Sequence, residues 1–243
     1  MKITGQEVLV IGGSSGIGFG VARAALAEGA KVTIASRSAD KIAAAVERLG
    51  QGAPEPVSGS VSGTVLDTGD VAALESLFGG HSFDHVFCSA AATRVAAVRD
   101  LPLAQAYGSF DSKFWGAYRV ARAARINPGG SLTFTSGFLS VRPKAGAAIQ
   151  GAINAAIEGL TRGLALEFAP LRVNCVSPGL VQTEMYDTLD GDGRKAMFDG
   201  AAAKLPVGMV GTPEHVAIQA LALMANPYMT GSTVFVEGGG AIA

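Results

Sequence analysis

An α/β fold built on a doubly wound parallel sheet is predicted by three features of the 243-residue sequence. Short apolar segments alternate with helical segments along the whole chain, as in sheets whose parallel strands are joined by crossover helices. A glycine-rich turn joins the first apolar segment directly to the first helical one. Hydrophobic residues make up 49% of the chain, so a full core can be buried on both faces of the sheet. No linker, repeat or low-complexity stretch interrupts the pattern, and we therefore predict a single domain spanning residues 1–243.

About seven strands are expected from the apolar segments. They are residues 7–11, 31–35, 64–66, 85–88, 131–135, 172–176 and 232–236. The predicted helices are residues 16–28, 39–49, 71–78, 103–124, 147–168 and 213–224, with 103–124 either one long helix or a broken pair. Residues 182–206 are predicted to be a long loop, and loops of that length in compact domains are often lids.

Charge and composition exclude several classes of partner. The chain has 19 basic and 20 acidic residues and no Lys/Arg-rich run, which argues against nucleic-acid binding. No apolar run reaches the roughly 18 residues needed to cross a bilayer, and no signal-like segment opens the chain, so a cytoplasmic protein without a membrane partner is expected. Cys88 and Cys175 each lie in an apolar run. Buried thiols are favoured over a disulfide, and no spacing typical of metal ligands is present.

The turn after the first predicted strand is a candidate phosphate-binding site. Its residues are Gly12, Gly13, Ser14, Ser15, Gly16, Ile17 and Gly18. Glycines let the backbone come close to a pyrophosphate, and the following helix offers free N–H groups and a partial positive charge. The spacing is GxxxGxG rather than GxGxxG. An ordinary glycine-rich turn is the alternative, but a strand before it and a helix after it favour nucleotide binding.

The end of the second predicted strand indicates which nicotinamide cofactor binds. An acidic residue there would bind the ribose 2′-OH of NAD, but Ser36, Arg37 and Ser38 follow the strand instead. A guanidinium suits a bidentate contact with a 2′-phosphate, so NADP(H) is favoured over NAD(H). Arg37 as a solvated loop charge is the alternative. Asp67, after the third strand, is a candidate acceptor for the adenine amino group or a turn cap.

Three motifs resemble the short-chain dehydrogenase/reductase family, and the resemblance covers almost the whole chain. They are GGSSGIG near the N-terminus, LEFAPLRVNCVSPGLVQTEM after the long helix, and GSTVFVEGGG near the end. The resemblance implies a seven-stranded Rossmann-like sheet, a small-molecule substrate, and homodimers or homotetramers packed through helices 103–124 and 147–168. Further cofactor contacts that it implies are Ser89, Ala90, Pro178, Gly179, Val181 and Thr183.

The catalytic pattern of that family is altered in this chain. The family uses Asn, Ser, Tyr and Lys, with Tyr and Lys spaced YxxxK on the long helix. In register with AAIEGLTRGLALEFAP, the Tyr position holds Gln150 and the Lys position holds Asn154. In GGSLTFTSG the first Ser is Ser136, but the catalytic second one is Gly137. The Asn position, in KFWGAYR, holds Lys113. A glutamine amide can hydrogen-bond a carbonyl but cannot give up a proton near neutral pH.

Lys113 and Asn154 have the two side-chain types of the family pattern in exchanged positions. The exchange would keep an ammonium and an amide in one pocket beside the cofactor. Drift is the alternative, with Lys113 extending into solvent.

Other candidate proton donors lie near the expected pocket. Tyr186, at the start of the predicted lid, is either an acid or a packing aromatic. Ser136 could bond a substrate oxygen, and Ser140 and Lys144 in the next loop rank lower. His85 enters the fourth strand at the edge opposite the expected site.

Two functions of different classes follow. The first is an NADP(H)-dependent carbonyl reductase or alcohol dehydrogenase with a non-standard proton relay. The second is a nucleotide-binding pseudoenzyme that acts as a sensor or scaffold. A non-redox enzyme using the same pocket, such as an isomerase or lyase, is a third variant.

Overall fold

Seven parallel strands form one sheet in the computed structural model, which describes residues 3–51 and 59–243. The strands are β1 (Glu7–Ile11), β2 (Lys31–Ser36), β3 (Ser60–Val65), β4 (Phe83–Cys88), β5 (Ile126–Thr135), β6 (Arg172–Pro178) and β7 (Thr233–Val236). Their order is β3-β2-β1-β4-β5-β6-β7, and each neighbouring pair is parallel. The doubly wound Rossmann-like sheet predicted from the sequence is confirmed.

Helices cover both faces of the sheet. They are α1 (Gly16–Ala27), α2 (Ala39–Gln51), α3 (Val71–Gly80), α4 (Leu103–Phe110), α5 (Gly116–Ala123), α6 (Ala148–Glu167), α7 (Gly191–Ala202) and α8 (Pro213–Ala225). Residues of α1, α2 and α8 share one apolar core, and residues of α3, α5 and α6 share another.

The two cores follow from the alternation of side chains along each inner strand. In β1, Val8 and Val10 enter the core with α1 and α8, whereas Leu9 and Ile11 enter the core with α3, α5 and α6. All four side chains are at most 1% exposed. Because each such side chain contributes about 1.5–3 kcal/mol when buried, both faces of the sheet are held firmly to their helices.

The predicted boundaries differ from the observed ones mainly at exposed or polar segments. The third strand begins at Ser60 and not at residue 64, because β3 is an edge strand with little buried apolar side chain. The segment 103–124, predicted to be one long helix or a broken pair, consists of α4 and α5 joined by a π-helical turn, Asp111–Trp115. No helix among residues 3–51 and 59–243 is long and apolar enough to cross a membrane.

The prediction of a long loop at residues 182–206 is wrong. We call these residues the lid after their predicted role, which stays a prediction. This segment contains a single 3₁₀ turn, Glu184–Tyr186, and the whole of α7. The α7 helix begins at an N-cap, where the Asp190 carboxylate accepts from the Gly193 N–H at 2.6 Å. Three glycines and several polar residues hide the helical period in the sequence, whereas burial of Phe198 and the cap stabilise the helix.

The sheet reverses its winding direction between β1 and β4. The chain runs outward from β1 to β3 and then returns to place β4 on the other side of β1. The helices that follow two such strands lie on opposite faces of the sheet, and open α/β sheets bind ligands in the crevice between them, outside the carboxyl ends of the strands.

Candidate active site

The turn after β1 and the first turn of α1 contain glycines whose places leave no room for a side chain. Gly12 has a φ of +90°, and a Cβ there would lie 2.8 Å from the amide nitrogen of Ala90, in the turn after β4. A Cβ on Gly18 would lie 2.1 Å from the Gly12 carbonyl oxygen. The two turns and the first turn of α1 therefore pack backbone to backbone, at the point where the sheet reverses.

The N-terminus of α1 already binds a carboxylate. The N-cap residue Ser15 makes no side-chain cap, and the Gly16 N–H donates at 2.8 Å to Oε2 of Glu184 in the lid. Thr183 lies beside Gly16, since a Cβ on the glycine would be 3.3 Å from the threonine methyl group. A helix N-terminus attracts anions, and this one is in direct reach of the lid.

The carboxyl ends of β2 and β3 hold the side chains predicted to recognise the adenosine half of the cofactor. Ser36 Oγ is buried without a hydrogen-bond partner in the part of the chain that the structure describes, and Arg37 is exposed. Ser38 accepts from the Lys41 N–H at 3.3 Å, which places it at the start of α2. Asp67 accepts from the Gly69 N–H at 2.8 Å, so it caps the turn after β3.

The segment after β6 approaches the same crevice from the other side. Pro178 is the buried last residue of β6, and Gly179 lies against Glu237, since a Cβ there would be 2.8 Å from the Glu237 Cα. Val181 pairs with Gly211 in an isolated parallel bridge. The lid thus starts from a fixed point at the carboxyl edge of the sheet.

Lys113 and Asn154 meet in the interior beside this crevice. Lys113 lies on the π-helical turn, is 8% exposed, and donates at 2.7 Å to Oδ1 of Asn154. It also donates at 2.7 Å to the main-chain carbonyl of Ser136, just after β5. The interpretation in which Lys113 extends into solvent is therefore wrong. A π-helical turn inserts one residue into a helix, and such turns occur frequently at functional sites.

The surroundings of Lys113 set its acidity. Burial lowers the pKa of Lys113 to about 8, and the neighbouring Cys175, Glu158 and Cys88 act in the opposite direction. Burial also raises the pKa of Cys88 and of Cys175 to about 11, so both thiols are neutral near pH 7. Both cysteines are free. Lys113 is therefore mainly protonated at pH 7, a pH that lies only about one unit below its pKa.

Gly137 makes room for the Lys113–Asn154 pair. Its φ of 161° is extended backbone that any residue can adopt, so its conformation does not require glycine. A Cβ on Gly137, however, would lie 2.8 Å from Nδ2 of Asn154. The glycine at position 137 and the asparagine at position 154 are thus sterically matched.

Gln150 lies one helical turn before Asn154 on α6. Its Oε1 atom is buried and has no hydrogen-bond partner among the described residues. A buried, unpaired amide oxygen is costly by about 1–3 kcal/mol, so the position favours a ligand with a donor group.

The hydroxyl proton of Ser136 is already used in a hydrogen bond to another side chain. Its hydroxyl donates at 2.9 Å to Oε1 of Glu158, so toward a substrate it offers only lone pairs in this arrangement.

Tyr186 lies in the lid, half-buried. Its ring packs edge-on against Phe198 of α7, with centroids 5.5 Å apart. Burial raises the pKa of Tyr186, which makes it a weaker acid than a free phenol. Its catalytic role remains a prediction.

The lid borders an open cavity of about 610 Å³. Two ion pairs line it, Arg194 with Asp187 and Lys195 with Asp199, so most of its charge is internally neutralised. Among the residues that the structure describes, no group of three or more His, Cys, Asp or Glu side chains is placed to hold a metal ion.

Glu158 and Ser177 were not identified from the sequence. A signal for Glu158 was present, because Gln150, Asn154 and Glu158 follow at intervals of four and so share one face of α6. Ser177 had no such signal, since nothing in the sequence separates it from the other polar residues of the fully buried strand β6.

A parallel sheet whose glycine turn and helix N-terminus meet at its reversal point defines a nucleotide-binding α/β protein. A family model described as enoyl-(acyl carrier protein) reductase matches residues 11–240. The short-chain dehydrogenase/reductase ATR9 of Stachybotrys chlorohalonatus is 32% identical, over 98% of this chain and 97% of its own length. The chain belongs to the short-chain dehydrogenase/reductase family of oxidoreductases.

Solved structures agree with this assignment. The MalC reductase/Diels-Alderase of Malbranchea aurantiaca is 30% identical, with a TM-score of 0.89 over 98% of this chain and 96% of that one. A small-chain dehydrogenase in complex with NADPH is 34% identical, with a TM-score of 0.80 over 98% of this chain and 100% of that one.

Proposed function

We propose that the protein is an NADP(H)-dependent oxidoreductase that acts on a carbonyl or alcohol and uses Lys113 as its proton donor. The observation that carries the proposal is the buried ammonium of Lys113, held by Asn154 and by the Ser136 carbonyl beside the crevice. When bound, the nicotinamide supplies or accepts the hydride. The chain must then manage one proton at the substrate oxygen.

The residues at the crevice fit a dinucleotide. Gly12 and Gly18 leave backbone without side chains at the turn, and the Gly16 N–H already donates to an anionic partner, the Glu184 carboxylate. In the proposed complex the pyrophosphate takes the place of the Glu184 carboxylate at α1. Ser14, Ser15 and Ile17 complete the turn, and Thr183 lies next to it.

The preference for NADP(H) rests on the end of β2. Arg37 is exposed and forms no hydrogen bond or ion pair among the described residues, while the neighbouring Ser36 hydroxyl is buried and unpaired. A 2′-phosphate would satisfy both groups. A solved relative in complex with NADPH lends support to the same choice.

Lys113 can lose a proton without losing its position. An ammonium has three protons, and two are used by Asn154 and the Ser136 carbonyl. Transfer of the third leaves a neutral amine that keeps both hydrogen bonds. With a pKa of about 8, Lys113 is a matched general acid near neutral pH. Asn154 orients the ammonium, and the Gln150 amide binds the substrate.

The test combines cofactor binding with turnover. Purified protein is titrated with NADPH and with NADH by cofactor fluorescence, and a carbonyl panel follows. Lys113→Met should bind NADPH within a few-fold of wild type but turn over about 10²–10⁴-fold more slowly. Lys144→Met, which removes an exposed lysine, should behave as wild type. Unchanged turnover in Lys113→Met would reject the role of Lys113.

The rate of carbonyl reduction is expected to decrease at high pH. Because the ammonium form donates, the rate should be constant below the pKa of Lys113 and fall as the pH rises through about 8.

A second candidate is a non-redox enzyme that uses the same pocket. A structural relative named as both reductase and Diels-Alderase supports it, as does Gln150, whose amide binds a carbonyl without donating a proton. Tight NADPH binding without oxidation by any carbonyl would favour this candidate, or a sensor or scaffold without turnover. Failure to bind either cofactor would reject all of these functions.

The protein assembles, in this proposal, as a homodimer or homotetramer through α4, α5 and α6. Four large apolar side chains on α4, the π-helical turn and α5 are exposed: Leu103, Tyr107, Trp115 and Tyr118. Exposed apolar patches of this kind mark association sites. In light scattering, Tyr118→Glu should lower the mass of the wild-type oligomer, and Tyr228→Glu, beyond α8, should not. A monomeric wild type would contradict the assembly.

A further inference from the structure

One buried carboxylate oxygen near Lys113 accepts hydrogen bonds from three serine hydroxyl groups in different parts of the chain. Oε1 of Glu158 accepts from Ser136 at 2.9 Å, from Ser140 at 2.6 Å and from Ser177 at 3.4 Å. Ser136 follows β5, Ser140 ends the 3₁₀ turn Phe138–Ser140, and Ser177 belongs to β6. Glu158 itself is 6% exposed. The proton transfer proposed for Lys113 does not itself involve the Glu158 carboxylate.

Glu158 is surrounded by the donors that a buried carboxylate needs. Burying an unpaired carboxylate costs several kcal/mol, and hydroxyl donors stabilise its ionised form. Since an ionised carboxylate only accepts, the three hydroxyl protons point toward it. The hydroxyls of Ser136 and Ser140 are thereby oriented, and so is the segment between them that contains Gly137.

Ser136 connects Glu158 to Lys113. Its carbonyl oxygen accepts from the Lys113 ammonium, and its hydroxyl donates to Glu158. The described residues form no Lys113–Glu158 ion pair within 4.0 Å; Ser136 instead hydrogen-bonds to both side chains. Of the titratable groups that face Lys113, Cys88 on β4 and Cys175 on β6 are neutral thiols near pH 7. Glu158 on α6 is then the negative charge among them.

We infer that Glu158 is a positioning residue, which holds Lys113 in its ammonium form and fixes the serine-lined wall beside it. The catalytic use of this effect rests on the proposed function, whereas the charge coupling itself does not. A carboxylate in a water-poor interior favours a nearby cation far more than the same charge would at the surface.

A purely structural role would be preserved by an uncharged acceptor. Glu158→Gln keeps a carbonyl oxygen for the hydroxyls and removes the charge. Glu158→Met is a second neutral variant for use if the glutamine variant does not fold, since apolar replacement of a buried charge is often tolerated. Glu158→Asp retains the charge. Glu167→Gln, at the exposed end of the same helix, is the matched control.

The experiment follows the Lys113 amine directly, by NMR of ¹⁵N-lysine-labelled protein across a pH titration. The Lys113 signal is assigned by its loss in Lys113→Met. In Glu158→Gln or Glu158→Met the titration midpoint should fall by about one pH unit or more, which corresponds to a tenfold change in the ionisation equilibrium. Glu158→Asp and Glu167→Gln should stay near the wild-type midpoint.

Turnover supplies the independent readout. The falling limb of the pH–rate profile should move to lower pH in the neutral variants, in step with the NMR midpoint. A wild-type Lys113 midpoint in folded Glu158→Gln or Glu158→Met would overturn the inference. A shifted midpoint in a protein that reduces no carbonyl would support the coupling and reject the reductase, so the two failures are distinguishable.

Discussion

At the scale of single residues, the site is a set of mutually adjusted side chains. Gly137 has no side chain where Asn154 places its amide, and Asn154 in turn accepts from Lys113. The three residues therefore fit one another in size and in hydrogen bonding. A change at any one of them is therefore expected to affect the other two.

Gly137→Ala tests this steric match. The new Cβ would lie 2.8 Å from Nδ2 of Asn154, which is tied to Lys113 and cannot move freely. We expect a loss of about 1–3 kcal/mol of stability, as for other overpacked sites, and a fall in turnover of at least about tenfold. Urea unfolding and the carbonyl assay measure the two effects.

Gly163→Ala is the matched control on α6. Nothing lies within 4 Å of a Cβ there, so the alanine should stabilise the helix by up to about 1 kcal/mol. Equal stability of Gly137→Ala and wild type would contradict the match.

Arg37 is the residue that should separate the two cofactors. Arg37→Ala is expected to weaken NADPH binding by about tenfold or more, because a charge-assisted contact with the 2′-phosphate is lost, and to leave NADH binding unchanged. Lys41→Ala, an exposed cation on the first turn of α2, is the control. If Arg37→Ala weakened NADPH and NADH binding equally, Arg37 would attract both cofactors by its charge and would not select the 2′-phosphate. Fluorescence titration at fixed ionic strength is the measurement.

At the scale of elements, α6 and the lid carry most of the site. The α6 helix is apolar or small along much of its length, and Gln150, Asn154 and Glu158 form one polar line along it. The lid contacts α1 through a charged side chain and contains its own helix, α7. A carboxylate at a helix N-terminus therefore joins the segment 182–206 to α1.

Glu184 should compete with the cofactor. Its carboxylate accepts from the Gly16 N–H, where the pyrophosphate is proposed to bind. A carboxylate near a helix N-terminus is worth about 0.3–1 kcal/mol, so Glu184→Gln should tighten NADPH binding about two- to fivefold. Asp199→Asn removes a charge from the same lid without a contact to α1 and should leave the affinity unchanged. Weaker binding in Glu184→Gln would show that the carboxylate assists the cofactor instead.

At the scale of the whole molecule, the carboxyl and amino ends of the parallel strands form two edges of the sheet that carry different groups. The carboxyl edge holds the crevice, whereas the opposite edge holds structural polar groups. There His85 contacts Ser131 at 2.9 Å and Gln6 at 3.0 Å. Close by, the Arg172 guanidinium donates to main-chain carbonyls that follow or end α8.

His85 should make stability depend on pH. Burial, reinforced by Arg172, lowers the pKa of His85 to about 4 against the opposing effect of Asp84. Below about pH 6.5 the unfolded chain binds a proton that the folded chain does not, so stability falls as the pH drops toward 4. The histidine contributes about 3 kcal/mol to this loss.

His85→Gln should remove that part of the pH dependence. Urea unfolding of both proteins between pH 7 and pH 4 measures it. Identical slopes for the two proteins would contradict the assignment to His85.

The sequence alone was informative where structure is local. Strands of alternating or continuous apolar residues, the glycine turn and the start of α1 all follow from neighbouring residues, and the structure confirms them. The segment 182–206 was mispredicted because the α7 helix depends on a cap and one buried phenylalanine more than on a periodic pattern.

The same distinction applies to the candidate site, where some features follow from the sequence and others only from the tertiary structure. Order along the chain was enough to locate the glycine turn after β1 and to predict that positions 137, 150 and 154 differ from the catalytic pattern that the resemblance implies. It left open whether Lys113 faced solvent or Asn154, because a lysine on a helix suits either. Only the tertiary structure decided this: β5, β6, the π-helical turn and α6 come together to bury the ammonium and to bring three distant hydroxyls to Glu158. Those contacts join residues 18 to 41 positions apart, and no local pattern records them.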